Sequence, residues 1–411
     1  MSIRRRANVR PWIRSALLPT LITASLGLPV TAAADARDQA KRIYDRIAGV
    51  PPSAATLDAM QTKIETNNDP VGAALMATQD PAFYNVTLKN FAAPWTNRDG
   101  SVFVPLNDYT ATVIGMVRDD VDFRQLLFGD ILYVGNGISP AYSSSSNAHY
   151  QAMEDQGTDL SAALTPVAQS SVTGVPSTAT AGVLTSRAAS KAFFINGTNR
   201  AMFRFTMKYQ LCHDMETVHD ITRAPDRIRQ DVSRSPGGDS RVFLNNCIGC
   251  HSGMDPMAQG FAYYNFQHDA MNDPMGDAGM LVYNNTGAVD PVTGTRVVAK
   301  YFNNNTTFPY GFITTDDKWD NYWRHGRNEL LGWDDTLPGS GQGAKSLGQE
   351  LAYSHAFAEC QVEKVFQNVC LRSPADGADR AQVDAMVGSF AAHGYSLRRV
   401  WQESAVYCMG D

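Results

Sequence analysis

Cys247-Ile248-Gly249-Cys250-His251 is the stretch of sequence against which the rest of the chain is best interpreted. Two cysteines three residues apart can each form a thioether with one vinyl group of a haem, and the histidine that follows can bind the iron. With six cysteines and eight histidines in 411 residues, only about 0.002 copies of this pattern are expected by chance. The pattern predicts one covalent c-type haem, with Cys247 and Cys250 as its attachment sites and His251 as its proximal ligand.

Two other uses of a paired cysteine motif fit the sequence less well. A zinc site needs a second ligand pair at close spacing, and the other four cysteines form neither a CxxC nor a CxxH pair. A thioredoxin-like motif should follow a strand in a βαβ unit, and no such pattern surrounds residues 247–251.

The ligand on the other side of the iron decides between functions. A methionine raises the reduction potential and favours electron transfer, a histidine lowers it, and an open position permits ligand binding or turnover. We take Met275 and Met280 as candidates because they flank Gly276 and Gly279 in a glycine-rich loop. His325 is a further candidate, since the arginines beside it suit haem propionates. For each methionine, a core or surface role stays the alternative.

The N-terminus has the organisation of a secretory signal peptide. Arginines at positions 4, 5 and 6 precede an apolar run over residues 16–30 and then small residues up to Ala34. We expect residues 1–34 to be removed and the mature protein to be periplasmic or secreted. Export agrees with the haem prediction, because c-type haem is attached on the far side of the bacterial membrane.

Composition narrows the choice of partners. The net charge is −6 and the sequence pI is about 5.8, which argues against nucleic acid or an anionic membrane as the partner. No apolar run after the N-terminal one approaches the roughly 20 residues that a membrane span needs. We therefore expect a soluble mature protein without a transmembrane segment.

Four cysteines lie outside the haem motif, at positions 212, 360, 370 and 408. Two disulfides are the default in an oxidising compartment. Residues 354–371 have helical periodicity, which would separate Cys360 from Cys370 by about 15 Å and prevent them from pairing. Each should then pair with Cys212 or Cys408, in either combination, and buried free thiols remain the alternative.

The sequence favours a mainly α fold of short helices in several parts around one c-type haem, with an irregular, β-ribbon insertion. Helices are predicted at residues 36–48, 53–60, 70–78, 81–93, 108–117, 121–130, 187–194, 199–212, 354–371, 381–391 and 396–405. Small β-ribbons are predicted around residues 280–283 and 296–302. The predicted segments are a signal peptide (1–34), an N-terminal helical domain (35–142), a Ser/Thr/Gly-rich loop connection (143–182), a haem-binding domain (183–267), an Asn/Gly-rich insertion (268–345) and a C-terminal helical domain (346–411).

Two stretches, AGVLTSRAASKAFFINGTNRAMFRFTMKYQLC (181–212) and FLNNCIGCHSGMDPMAQGFAYYNF (243–266), resemble the planctomycete-type cytochrome c domain of secreted proteins. The shared marks are the Gly-Val-Leu-Thr opening, a helix that ends in Leu-Cys, and Cys-x-x-Cys-His-x-x-Met-Asp-Pro followed by Gly-Phe. Residues 122–134 and 354–401 are similar to the helical domains that adjoin it. The resemblance implies an exported haem protein and no particular substrate, since the family is mostly uncharacterised.

The leading hypothesis is an exported monohaem cytochrome that passes single electrons to or from a redox partner protein or a small donor or acceptor. A haem enzyme with an open distal site, peroxidase- or oxygenase-like, is the first alternative, because the chain is larger than an electron carrier needs. A surface- or substrate-binding protein with an accessory haem domain is the second, supported only by the composition of residues 268–345. No catalytic residue is assigned.

Overall fold

The computed structural model describes residues 34–302 and 309–410, and the predicted signal peptide lies outside them apart from Ala34. Helices dominate the described chain, and most of them begin at a side chain that accepts a backbone N–H. Asp35 accepts from Asp38, Ser53 from Thr56 and Asp69 from Gly72. These are ordinary N-caps, with Pro70 in the first turn behind Asp69. Local sequence therefore determines where most helices begin.

Seventeen α-helices occur in the described residues. They are α1 (Ala36–Ala48), α2 (Ala54–Glu65), α3 (Pro70–Ala77), α4 (Lys89–Ala92), α5 (Asp108–Arg118), α6 (Ala148–Asp155), α7 (Leu160–Ala163), α8 (Gln169–Thr173), α9 (Arg187–Phe194), α10 (Asn199–Gln210), α11 (Ser240–Val242), α12 (Ile248–Ala258), α13 (Ala299–Phe302), α14 (Gly343–Ala352), α15 (His355–Cys370), α16 (Gly377–Ala392) and α17 (Leu397–Tyr407). The 3₁₀ turns are Ala93–Thr96, Phe123–Leu126, Gly182–Thr185, Pro236–Gly238, Gln259–Phe261, Tyr322–Arg324 and Gly326–Leu331, and the π-helical turns are Phe83–Leu88 and Phe243–Cys247.

Strands are few and short. Three antiparallel two-stranded sheets pair β1 (Leu132–Gly135) with β2 (Leu164–Val167), β3 (Tyr264–Gln267) with β4 (Met280–Tyr283), and β5 (Lys318–Asp320) with β6 (Ser340–Gln342). About 53% of the described residues are helical, so the prediction of a mainly α fold is confirmed.

One of the two predicted β-ribbons is present. Residues 280–283 form β4, whereas residues 296–302 lead into α13 instead of forming a strand. Val297 and Val298 are buried in the main core, and the Val298 N–H donates to the carbonyl of Ala262. Burial against the end of the α12 region, not pairing with another strand, explains this apolar run.

The predicted loop connection over residues 143–182 is wrong in its local structure, since it contains α6, α7, β2 and α8. Tyr150, Met153 and Leu160 are buried in the main core. The Ser- and Thr-rich composition indicated a loop because these hydroxyls bond the backbone locally. Burial of these apolar side chains in the core outweighs that tendency.

One hydrophobic cluster includes residues from every predicted segment that the structure describes, from Ile43 and Phe203 to Phe261 and Trp401. The insertion also contributes to it, through the buried Trp323. The described residues accordingly group as one compact unit. The segment boundaries remain predictions about the sequence, because the segments share this core. Among the described helices, none is both long enough and apolar enough to cross a membrane.

Two disulfides are present, Cys212–Cys360 and Cys370–Cys408, with Cα–Cα distances of 5.3 and 5.5 Å. The helix expected to separate Cys360 from Cys370 is α15. The prediction that each pairs outside this helix is confirmed, and the alternative of free thiols is wrong. The first bridge joins the end of α10 to α15, and the second joins α15 to the end of α17.

Candidate functional site

The motif lies in one helical run, residues 240–258, made of α11, a π-helical turn and α12. Cys247, Cys250 and His251 are spaced i, i+3 and i+4, which places them on the same face of the helix. All three side chains are partly exposed. Cys247 and Cys250 are the free cysteines among the described residues. The helix thus presents two unpaired thiols and one imidazole together.

On the opposite face of this helix, two aromatic rings pack directly against two glycines. A Cβ on Gly249 would lie 2.3 Å from Nε2 of His219, and a Cβ on Gly253 would lie 2.0 Å from Nε1 of Trp323. Only glycine permits such close approach here. At 100° per residue both glycines lie away from the motif face. These contacts fix the rotation of the helix and leave the motif side chains on its other side.

His251 is held by a buried carboxylate one turn further along. Its Nδ1 is 3.0 Å from Oδ1 of Asp255, whose side chain is fully buried. Since a carboxylate accepts, Nδ1 carries the proton, and Nε2 is left with its lone pair for a metal. This is the orientation that an iron-binding histidine requires.

Asp255 is in turn held by Arg200 of α10. The guanidinium donates to both carboxylate oxygens, at 2.6 and 2.5 Å, and the backbone N–H of Arg229 donates at 3.1 Å. Arg200 also donates twice to Asp231, at 2.7 and 3.0 Å. The histidine is therefore the end of a chain of bonds that runs through a buried ion pair.

Electrostatics keep this carboxylate ionised. Burial alone would raise the pKa of Asp255, but the positive charge of Arg200 and the bonds from Arg200 and His251 hold the pKa well below its ordinary value. Burial works against the charge of Arg200 as well, yet Asp255 and Asp231 raise its pKa. A full negative charge thus lies beside the Nδ1–H of His251.

Apolar groups border the motif on both sides. Cys247 packs against a small cluster of Ile228, Val232, Phe243 and Ile248, while Cys250 packs against the main core. One turn before the motif, Leu244 is 52% exposed. Burial raises the pKa of the Cys250 thiol. Two accessible thiols, an oriented imidazole and apolar side chains are the donor set and surroundings that a c-type haem needs, so the residues present fit this group.

Met275 and Met280 stay predicted distal ligands, and the structure places them at the two ends of a loop that is bound to α9. Met275 is 67% exposed, and Met280 begins β4 opposite Gln267. The guanidinium of Arg187, on α9, donates to the carbonyls of Gly276, Asp277 and Gly279 in the loop between them. The carbonyls of both glycines in this loop are therefore bound to α9.

His325 lies in a segment that does contact α12. It is exposed, and two residues before it Trp323 packs on Gly253. Arg324 is bound to Glu350, at 2.8 and 2.9 Å, and Arg327 donates to the carbonyl of His219. Two arginines beside His325 are expected to bind haem propionates. Arg324 already binds a carboxylate of the protein, whereas among the described residues Arg327 binds only a carbonyl.

Sequence reasoning missed the residues that orient His251. Asp255 lies four residues after the histidine, and in a helix that spacing brings the two side chains together. No sequence signal identifies Arg200 as the partner, because it lies 55 residues away on α10.

None of three comparisons with known proteins, against family models, curated proteins and solved structures, found a match. The described residues also contain no group of three or more His, Cys, Asp or Glu that could hold a metal ion. A c-type haem needs only one histidine from the protein on its proximal side, so that finding does not bear on it.

Proposed function

We propose that the protein is an exported monohaem c-type cytochrome that transfers single electrons to or from a redox partner protein or a small donor or acceptor. One observation carries the proposal. Cys247, Cys250 and His251 share one partly exposed helix face, with the imidazole oriented by the buried Asp255. The bound haem would supply the one-electron chemistry, and Nε2 of His251 would hold it from one side.

The hydrogen bond from His251 to Asp255 affects the reduction potential that such a site would have. A carboxylate that accepts from Nδ1–H makes the imidazole a stronger donor. A stronger donor stabilises the higher charge of an oxidised metal more than that of a reduced one. The arrangement therefore favours a low reduction potential for a site with this proximal ligand.

A haem enzyme is the second candidate function, and the same hydrogen bond favours it. Strong electron donation from the proximal side is the property that promotes O–O cleavage at haem sites. The loop between Met275 and Met280 is bound to α9 by Arg187, and a distal position that neither methionine fills would be open to a ligand. The proposals differ in whether the distal position is filled.

The attachment test compares cysteine variants produced in cells that export and attach c-type haem. The mature parent should carry one haem that survives denaturation, seen as added mass and as a pyridine haemochrome spectrum. Cys247→Ala and Cys250→Ala should each lose one thioether. The Cys370→Ser, Cys408→Ser pair is the matched control, because it removes two cysteines from a disulfide and should keep the haem. A parent without covalent haem would refute the proposal.

Carbon monoxide separates electron transfer from turnover. A low-spin spectrum that the gas does not change means that both axial positions are filled, as an electron carrier requires. A high-spin ferric form whose reduced state binds the gas means an open position. That second result would move the assignment to the haem enzyme.

A further inference from the structure

A cavity of about 750 Å³ opens beside α9, on the side where the loop 274–277 is bound. Its volume is within the range of small-molecule sites, roughly 300–1,000 Å³. None of its lining residues belongs to the helical run 240–258. The cavity is thus separate from the helix that carries the motif.

The walls are mostly apolar. Ala188, Ala192 and Ile195 line the cavity from α9 and the residue after it, with Val104 and Met275 among the side chains from the neighbouring loops. Met275 is largely exposed there. An exposed thioether at the mouth of an apolar cavity suits a hydrophobic ligand better than water.

Positive charge predominates in the same lining. Arg98, Arg187 and Lys191 contribute three cations, and Asp277 contributes the one carboxylate. Lys191 and Asp277 form an ion pair of 2.5 Å at the surface, in which Asp277 is 77% exposed. A pair this open to solvent is weak, because water screens it. Lys191 is therefore available to another anion.

The two arginines donate hydrogen bonds to neutral acceptors. Arg98 donates to the carbonyls of Ala192, Phe193 and Ile195, and Arg187 donates to carbonyls of the loop 274–279. Burial lowers the pKa of both guanidinium groups, but arginine stays protonated at neutral pH. Carbonyl groups carry no net charge, so these bonds do not neutralise either guanidinium group. The carboxylates of Asp108, Asp273 and Asp277 act on Arg187, whereas burial is the influence on Arg98.

We propose that this cavity binds a small organic anion with an apolar body, of the class of medium-chain carboxylates. The carboxylate meets Lys191, within the positive field of Arg98 and Arg187. The apolar body lies along Ala188, Ala192 and Met275. Such a ligand matches both the apolar walls and the positive charge of the lining. A cation would be repelled, and a neutral chain would leave Lys191 without an anionic partner from the ligand. The inference does not depend on the haem proposal.

The test is calorimetric titration of the full-length mature protein with octanoate, and with 1-octanol as a neutral ligand of the same chain length. Octanoate should bind at least tenfold more tightly than octanol. Lys191→Met should weaken octanoate binding about five- to tenfold, since a pair worth about 1 kcal/mol changes affinity about fivefold. Asp277→Asn should tighten it about threefold, because the competing carboxylate is gone.

Two further variants keep the test decisive. Lys208→Met removes an exposed lysine on α10 that does not line the cavity, and it should bind octanoate as the parent does. Ala192→Trp fills the cavity and should abolish binding while the visible spectrum and thermal unfolding stay those of the parent. If Lys191→Met fails to fold, Lys191→Gln takes its place. Absence of octanoate binding at millimolar concentration, equal binding of octanol, or unchanged affinity in both charge variants overturns the proposal.

Discussion

Replacing Asp255 with asparagine tests the link between His251 and the charge behind it. The change keeps the shape of the side chain and removes the negative charge that accepts from His251, Arg200 and the backbone of Arg229. The imidazole then faces a neutral amide, and the guanidinium retains only its bonds to Asp231.

The magnitude follows from the bond that is weakened. A hydrogen bond to a charged group contributes about 1.5–3 kcal/mol. If that amount distinguishes the oxidised from the reduced site, the reduction potential rises by about 60–130 mV, because 1.4 kcal/mol corresponds to 59 mV for one electron. Breaking a buried ion pair from one side costs about 3–5 kcal/mol. Since Arg200 keeps a second carboxylate, we expect a loss of about 2–4 kcal/mol in the free energy of unfolding.

The assay is a spectroelectrochemical titration of the parent and Asp255→Asn holoproteins, together with urea unfolding of both. Asp214→Asn is the matched control, because Asp214 accepts two bonds from Arg204, at 2.6 and 2.8 Å, without contacting His251. The control should leave the potential nearly unchanged. A folded, haem-loaded Asp255→Asn protein with the potential of the parent would refute the reasoning.

Two further predictions concern stability. Gly253→Ala places a Cβ 2.0 Å from the buried Trp323 ring, so overpacking should lower the free energy of unfolding by about 1–3 kcal/mol in chemical denaturation. Gly388→Ala in α16 is the control: its Cβ meets nothing within 4 Å, and it should stabilise the protein by about 0.5–1 kcal/mol. Equal effects of the two substitutions would contradict the packing argument. Burial raises the pKa of Asp317 from 3.8 to about 6, so the folded state binds more protons than the unfolded state between these values and stability falls as pH rises through this window. Asp317→Asn should remove this pH dependence and be more stable than the parent at pH 7 by about 1–2 kcal/mol. Urea unfolding of both proteins at pH 4.5 and pH 7 measures the difference, and an unchanged pH dependence would show that Asp317 is not its source.

Local signals made much of the helical structure predictable. The apolar spacing in α1 and the caps before α2 and α3 lie within a few residues of what they determine. The predicted bounds of residues 187–194 match α9. The same locality explains the failures: Val297 and Val298 have the composition of a strand, but their place is decided by contact with residues far away in the sequence.

The candidate site divides in the same way. Its reactive side chains come from five consecutive residues and are visible in the sequence. What orients them is not local: Arg200 lies on another helix, and Trp323 comes from the insertion. The distal candidates Met275 and Met280 stay predictions, and the loop between them is held by a residue far away in the sequence, Arg187 on α9.

The long-range contacts of Arg200 and Trp323 give the rest of the chain a role at the motif, because they hold the helix that carries it. The helical run 240–258 is fixed at its back by the rings of His219 and Trp323, and at its flank by the bonds that Arg200 donates to Asp255. A ligand whose rotation and hydrogen bonding are both fixed keeps its geometry when charge at the metal changes. On this view the insertion serves the site through Trp323, and Gly253→Ala should disturb the spectrum of a bound haem although residue 253 lies on the opposite face of the helix. A variant that is destabilised but has the potential and spectrum of the parent would instead confine the insertion to a role in folding.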